Sequence, residues 1–338
     1  MTLQKRLEAF VKLGELIQNL SNDKKEALFD RAAQKNSWFT QGNCEEALSG
    51  IAHLLNPENL KTWVSKYPLE NDRNTLKVGI LMAGNIPMVG FHDLMTVLVS
   101  GHEAHVKLSS ADQVLMTWLI EQIIAIEPEF GNRIQVAEML KAKDAYIATG
   151  SDNSARYFNY YFGKYPSIIR QNRTSVAILD GEESEDDLRN LGKDIFQYFG
   201  LGCRNVSKIF VKEKTQLQQL LAVLEEYKEV AEHHKYHNNY EYNKSIYLVN
   251  SEPHLDNGFL ILKESLDLVS PIAVLYYELY EEEELLRNRL DELKDKIQCI
   301  VSDPQRREGA IHFGAAQSPD VWDYADGVDT MKFLMGLG

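Results

Sequence analysis

The segment YFGLGCRNVSKIFV (198–211) sets a cysteine, Cys203, after Gly200 and Gly202 and just ahead of an apolar, strand-like run. Glycines on the approach let a backbone and a substrate come close together. A thiol in such a loop can act as a nucleophile, because the thiolate attacks electrophilic carbonyl carbon and some of it is already ionised at neutral pH. The same local pattern also suits a structural core cysteine, and these residues alone leave both readings open. Cys44 and Cys299 fall inside helix-like and strand-like apolar patterns and read as core. Three scattered cysteines are too few for a disulfide framework or a zinc site. The stretch HHKYHNNYEYNK (233–244) reads as a loop whose histidines lack the acid or cysteine partners of a zinc centre. The acidic tail HFGAAQSPDVWDYADGVDTM (312–331) lacks EF-hand spacing and reads as a return segment packing Trp322. No metal is expected.

Two further segments place polar groups where nucleotides bind. GNIPMVGFHDLMTVLVSGHEAHVKLSS (84–110) has a strand ending at Gly84, Asn85 and Pro87 in a turn, a helix, and a second strand ending at Lys107-Leu108-Ser109-Ser110. ATGSDNSARYF (148–158) delivers Gly150 and Ser151 to a helix start. Strand ends beside helix N-termini favour phosphates, since unpaired N–H groups and the macrodipole face the ligand there. Neither a G-x-G-x-x-G nor a P-loop is present.

The elements that must position these residues follow from periodicity. Residues 1 to about 70 read as helices only, with Leu3, Leu7, Phe10, Val11, Ile17 and Leu20 at helical spacing. Asp23 with Glu26, Asn43 with Glu46, and Asn56-Pro57 fit helix starts. From about 75 the period shortens: LKVGILM (76–82), EAHVKL (103–108), DAYIATG (144–150) and TSVAILDG (174–181) read as strands between helical stretches. KIFV, SIYLV, GFLIL and IAVLYY continue the alternation after the acidic loop 182–187, the candidate domain boundary. Apolar strands alternating with helices predict parallel sheets in an α/β fold. The 338 residues carry 36 basic and 50 acidic side chains, a formal charge of −14. That argues against a nucleic-acid coat or a polybasic membrane anchor, which need clustered cations. No apolar run reaches the length of a membrane span and the N-terminus has helical rather than signal-peptide spacing, so a cytoplasmic location is expected.

Taken in order, the Asn-x-Pro turn, the Lys-x-Ser strand end, Thr-Gly-Ser and the glycine-flanked cysteine resemble the aldehyde dehydrogenase superfamily. Within it, FGLGCRNVSKIFV and the closing HFGAAQSPDVWDYADGVDTM are most similar to the LuxC-type acyl-CoA reductases. The resemblance runs from about residue 76 to the end. It implies that Cys203 is the nucleophile that forms the acyl-enzyme and that Asn85 donates its amide to the oxyanion. It places Lys107, Ser109 and Ser110 along the adenosine ribose, Gly150 and Ser151 near the pyrophosphate, and Asp267 of DLVSP near the nicotinamide ribose. Two departures from the aldehyde-oxidising members carry information. Arg170 stands where their water-activating Glu falls, which suits an acyl-enzyme that must not drain to water. Ser110 stands where NAD-preferring members hold the ribose with Glu, which favours NADP(H).

The expectation is an aldehyde-dehydrogenase-like α/β fold with two parallel-sheet domains and a helical N-terminal region. Its parts are a helical region 1–74, an NADP(H)-binding domain 75–181, a catalytic domain 182–315 and a return segment 316–338. The implied activity is NADPH-dependent reduction of an acyl-CoA thioester, a fatty acyl one foremost, to the aldehyde, with a homo-oligomer compatible. The rival readings are an NAD(P)-dependent aldehyde or semialdehyde dehydrogenase and a non-catalytic scaffold on the same fold.

Overall fold

The computed structural model describes residues 1–69, 74–150 and 152–337. The chain divides into two compact units, residues 1–172 with 320–338, and residues 173–319.

In the first unit, four helices open the chain: α1 (Leu3–Gln18), α2 (Asn22–Lys35), α3 (Gln41–Leu54) and α4 (Pro57–Val64). Asn56 caps α4 by accepting from the Glu58 N–H, with Pro57 at the first helical position, as the sequence predicts. The starts of α2 and α3 differ from expectation. Ser21 and Thr40 are the caps, upstream of Asp23 and Asn43, because each supplies the extended residue before the first turn. Then come β1 (Lys77–Leu81), α5 (Phe91–Ser100), β2 (Glu103–Lys107), α6 (Gln113–Ile126), β3 (Ile134–Val136), β4 (Ala145–Thr149), α7 (Asp152–Phe162) and β5 (Ser167–Arg170). Among the described residues these strands form one parallel sheet in the order β3-β2-β1-β4-β5. The order reverses between β1 and β4, and ligands of open α/β sheets bind outside the carboxyl ends at such a point. The N-terminal helices share a core with this sheet: Phe10, Leu13, Trp63, Met95 and Leu98 are all fully buried within it. The return segment packs there too, through Val321, Tyr324, and Met331 and Leu334 of α12 (Thr330–Met335). Trp322, expected as its buried anchor, is only half-buried and lies under the Lys66 ammonium, 4.5 Å from the ring centroid. Tyr324 is the anchor instead, accepting from the Trp63 indole at 2.6 Å.

The second unit runs β6 (Thr174–Leu179), α8 (Glu185–Phe196), β7 (Val206–Val211), α9 (Lys214–Leu224), α10 (His234–Val249), β8 (Leu255–Asp256), β9 (Ile261–Glu264), β10 (Val274–Leu279), α11 (Glu283–Leu293) and β11 (Ile297–Val301). Its sheet has the order β11-β6-β7-β10-β9-β8, parallel except for β8 at the edge. Strand 174–179, which the sequence reading groups with the first α/β domain, pairs with β7 and β11 in this second sheet. The stretch 234–249, within a segment read as a loop and a strand, is one helix capped by His233. Its tyrosines at 236, 240 and 247 bury one face at helical spacing, a pattern that alternation of polar residues hides. Among the described residues no helix is long and apolar enough to cross a membrane, and no cluster of His, Cys, Asp and Glu could hold a metal.

Candidate active site

In the first unit, four of the implied cofactor residues and the implied oxyanion donor gather at the carboxyl edge of the sheet. Asn85 is exposed in the turn after β1, Lys107 ends β2, Ser109 and Ser110 follow it, and Gly150 follows β4. Ser151 lies outside the described residues. The turn after β1 and the turn after β2 press together. A Cβ on Gly84 would sit 2.4 Å from Ser109 Oγ, so only glycine fits there. Gly90, at the start of α5, is closed in the same way by the Met82 side chain, 2.7 Å from where its Cβ would be. Between these glycines Met88 takes a left-handed φ of +58°, a conformation that costs a non-glycine residue about 1–3 kcal/mol and needs surrounding structure to hold it. The glycines let the connections after β1 and β2 pack closely, and at the exposed strand end position 110 carries a serine rather than a carboxylate. These residues fit a nicotinamide dinucleotide.

Arg170, at the end of β5, is 4% exposed. Its guanidinium donates to Asp93 Oδ2 at 2.5 Å, to Thr330 Oγ1 at 2.9 Å and to Thr149 Oγ1 at 3.4 Å. Arg170, which the resemblance sets where the oxidising enzymes carry a Glu, is a buried cation held by three side chains.

In the second unit, Cys203 sits half-buried in the turn just before the amino end of β7. The chain enters that turn through Tyr198, Phe199 and Gly200, all at positive φ (53°, 56° and 76°). Two consecutive non-glycine residues in that region store strain, which persists only when other contacts over-determine the loop. Asn205, 1% exposed, supplies them. Its Oδ1 accepts from the Gly202 N–H at 2.8 Å, and its Nδ2 donates to the carbonyls of Gln197 (2.8 Å), Asp194 (3.0 Å) and Ile195 (3.4 Å) at the end of α8. One side chain thus closes the helix terminus and holds the cysteine turn. We expect Asn205→Ala to destabilise the protein by about 2–3 kcal/mol, since buried carbonyls and an N–H lose partners; a urea midpoint series at constant slope checks this.

Below the turn, Ser175 Oγ donates to the Cys203 carbonyl at 3.1 Å and lies 3.0 Å from Cys299 Sγ. Ser175 stands at a register shift between β6 and β7, and β11 shifts register between Ile297 and Ile300, around Cys299. Bulges of this kind re-aim side chains beside active sites. Cys299 is therefore part of the polar floor under Cys203 rather than a plain core residue, and burial pushes its thiol pKa up. Cys44 is fully buried, its pKa pushed up to about 12 by burial. Asp194 of α8 accepts from the Gly314 and Ala316 N–H groups at 2.6 and 2.9 Å, which fixes the HFGAAQ stretch within this unit. Its burial raises its pKa to about 6. Asp267 is exposed. The loop around it is held from beneath by the buried Lys208 ammonium, which donates to the Ser265 and Asp267 carbonyls and pairs with Glu278.

Asn205, Ser175 and Asp194 escape a reading of sequence motifs. The one signal for them is a polar residue beside, or at the start of, an otherwise apolar element.

Comparisons with known proteins bear on the fold and the family. GapN, a glyceraldehyde-3-phosphate dehydrogenase from Methanocaldococcus jannaschii solved with NADP, superposes at a TM-score of 0.70 with 13% identity, over 99% of this chain and 88% of that one. Aldehyde dehydrogenase 21 from Physcomitrella patens, solved with succinate, gives 0.69 and 12%, over 99% and 84%. An oxidoreductase from Marinobacter aquaeolei gives 0.69 and 11%, over 100% and 85%. At these identities the likeness establishes an aldehyde-dehydrogenase-like fold. Among curated proteins, none matches significantly. The profile of the acyl-CoA reductase (LuxC) family matches residues 60–235, just over half of the chain and a span that includes the Asn85 turn, Arg170 and Cys203. The chain belongs to the LuxC acyl-CoA reductase family.

Proposed function

We propose that this protein reduces an acyl-CoA thioester to the aldehyde with NADPH, through an acyl-enzyme on Cys203. The observation that carries the reading is the buried Arg170–Asp93 pair at the place of a hydrolytic glutamate. An acyl-enzyme without a water-activating base survives long enough to be reduced. The Cys203 thiolate attacks the thioester carbonyl, the C–S bond to CoA breaks, and CoA leaves as a thiol after taking a proton. Asn85 donates to the oxygen that becomes negative, the kind of contact worth about 10²–10³ in rate. NADPH, when bound, supplies the hydride that makes the acyl carbon an aldehyde. Departure of the aldehyde returns the Cys203 thiolate for the next cycle.

The test is loss of NADPH absorbance with a panel of short to long acyl-CoAs. Consumption that depends on acyl-CoA, with one CoA thiol released per NADPH, supports the reading. Silence with every acyl-CoA, but NADP⁺ reduction by aldehydes, would replace it with aldehyde oxidation.

Cofactor choice in this reading rests on Ser110, exposed after β2. Ser110→Glu is expected to weaken NADPH relative to NADH by at least about 10-fold, because a carboxylate would face the 2′-phosphate and could instead hold a ribose hydroxyl. The ratio of kcat/KM for the two cofactors measures it.

A further inference from the structure

Asp112 stands at the cap position of α6, where an aspartate ordinarily accepts from the second or third helical N–H. It makes no such bond. Its carboxyl turns instead to the neighbouring connection and accepts from the Met88 N–H at 2.8 Å, while Oδ1 is buried with no hydrogen-bond partner. The residue is 2% exposed. Its Cβ would lie 3.3 Å from a Cβ on Gly84, so it packs directly beneath the turn that carries Asn85. Met88 is the left-handed residue of that turn.

We propose that Asp112 is a positioning residue: by holding the strained Met88 amide it fixes the Gly84–Met88 turn and hence Asn85. This rests on the oxyanion role given to Asn85 above. A helix cap would serve α6, and a core polar group would be fully paired; Asp112 does neither. Burial raises its pKa to about 8, against the pull of the Met88 hydrogen bond, so the carboxyl is un-ionised at neutral pH. The other titratable group acting across this contact is Cys44 of α3, which stays a thiol throughout the working range. The turn 84–90 and the first turn of α6 contain no titratable side chain, and the β2–α6 connection contributes only the exposed Lys107. Above pH 8 the buried carboxylate, with one oxygen unpartnered, no longer suits its surroundings and the turn loosens.

The experiment compares wild type, Asp112→Ala, Asp112→Asn, Asn85→Ala and the double alanine variant in full-length protein. Steady-state kinetics with acyl-CoA and NADPH run from acid to alkaline pH, and hydrogen exchange is read on the amides of residues 84–90. Asp112→Ala should lower kcat by about 10–10²-fold with little change in KM, the scale of a displaced catalytic group. Asp112→Asn should restore most of the rate, since its carbonyl accepts from Met88, and should remove the fall in rate above pH 8. In the Asn85→Ala background Asp112→Ala should add almost nothing, because both act through one group. Losses that multiply, an unchanged alkaline limb in Asp112→Asn, exchange unaltered in Asp112→Ala, or exchange in Asp112→Asn that still quickens above pH 8 as in wild type would overturn the proposal. Hydrogen exchange needs no substrate, so it decides the role of Asp112 even if wild type ignores every acyl-CoA, a result that would count against the proposed function instead. If Asp112→Ala does not fold, the pH profile and exchange of Asp112→Asn decide.

Discussion

Cys203→Ala is expected to lower acyl-CoA-dependent NADPH consumption by about 10⁴–10⁶-fold, the range seen when a covalent nucleophile is removed. No other thiol can take over. Cys44 is fully buried with its pKa pushed up to about 12, and Cys299 is held up by burial while engaged with Ser175. Stability should hardly move, because Cys203 is half-buried and its turn is held by the Asn205 amide and the Cys203 main-chain carbonyl, none of which alanine removes. Intact mass after acyl-CoA is added without NADPH separates the steps. Wild type should gain one acyl group and Cys203→Ala none. An adduct that persists in Cys203→Ala would move the nucleophile elsewhere and end the assignment.

How far the sequence carried this reading depends on the range of the interaction. The cysteine turn, the Asn-x-Pro turn and the strand ends are local, and their residue types announce themselves through glycine spacing and apolar period. The alternation of strands and helices revealed parallel sheets for the same reason: burial on both faces writes a continuous apolar run. Membership of a strand in one sheet or the other is not local. Residues 174–179 read as a strand from sequence, yet only their pairing with β7 and β11 places them in the second sheet. The helix 234–249 was hidden because its buried face is made of tyrosines and an asparagine, which periodicity scores as mixed polarity. The groups that hold the site are harder still. Asn205, Ser175, Asp194 and Asp112 act on backbone N–H and C=O groups, which every residue possesses, so no complementary motif exists to be found.

That distinction also separates residues that touch chemistry from those that shape it. Cys203 is held at the amino end of its sheet by two register shifts and by an asparagine that joins the end of α8 to the turn. Strain at Tyr198 and Phe199 is the counterpart of that grip. A loop so constrained presents its thiol in one geometry, which is what the proposed attack on a thioester carbonyl requires.

Arg170→Met is expected to destabilise the protein by about 3–5 kcal/mol, the cost of leaving a buried carboxylate without its partner. Asp93 is itself 8% exposed, and the guanidinium also donates to Thr149 of β4 and Thr330 of α12. Removing it strands Asp93 and unties the return helix from the sheet. Urea denaturation reads the loss, and Arg170→Met with Asp93→Leu should regain much of it, because an apolar pair of similar volume has no desolvation to offset. The same contact decides what Arg170→Glu would do. By analogy with aldehyde-oxidising relatives it restores a base, but here it would set two carboxylates against each other inside the protein. We expect that variant to be less stable than Arg170→Met and to release no free acid from the acyl-enzyme above background. Acid release from a folded Arg170→Glu protein would show instead that position 170 still reaches the acyl group. In the proposed reaction the buried pair would make hydrolysis hard to introduce at this position, because the Arg170 cation also holds β4, α5 and α12 together.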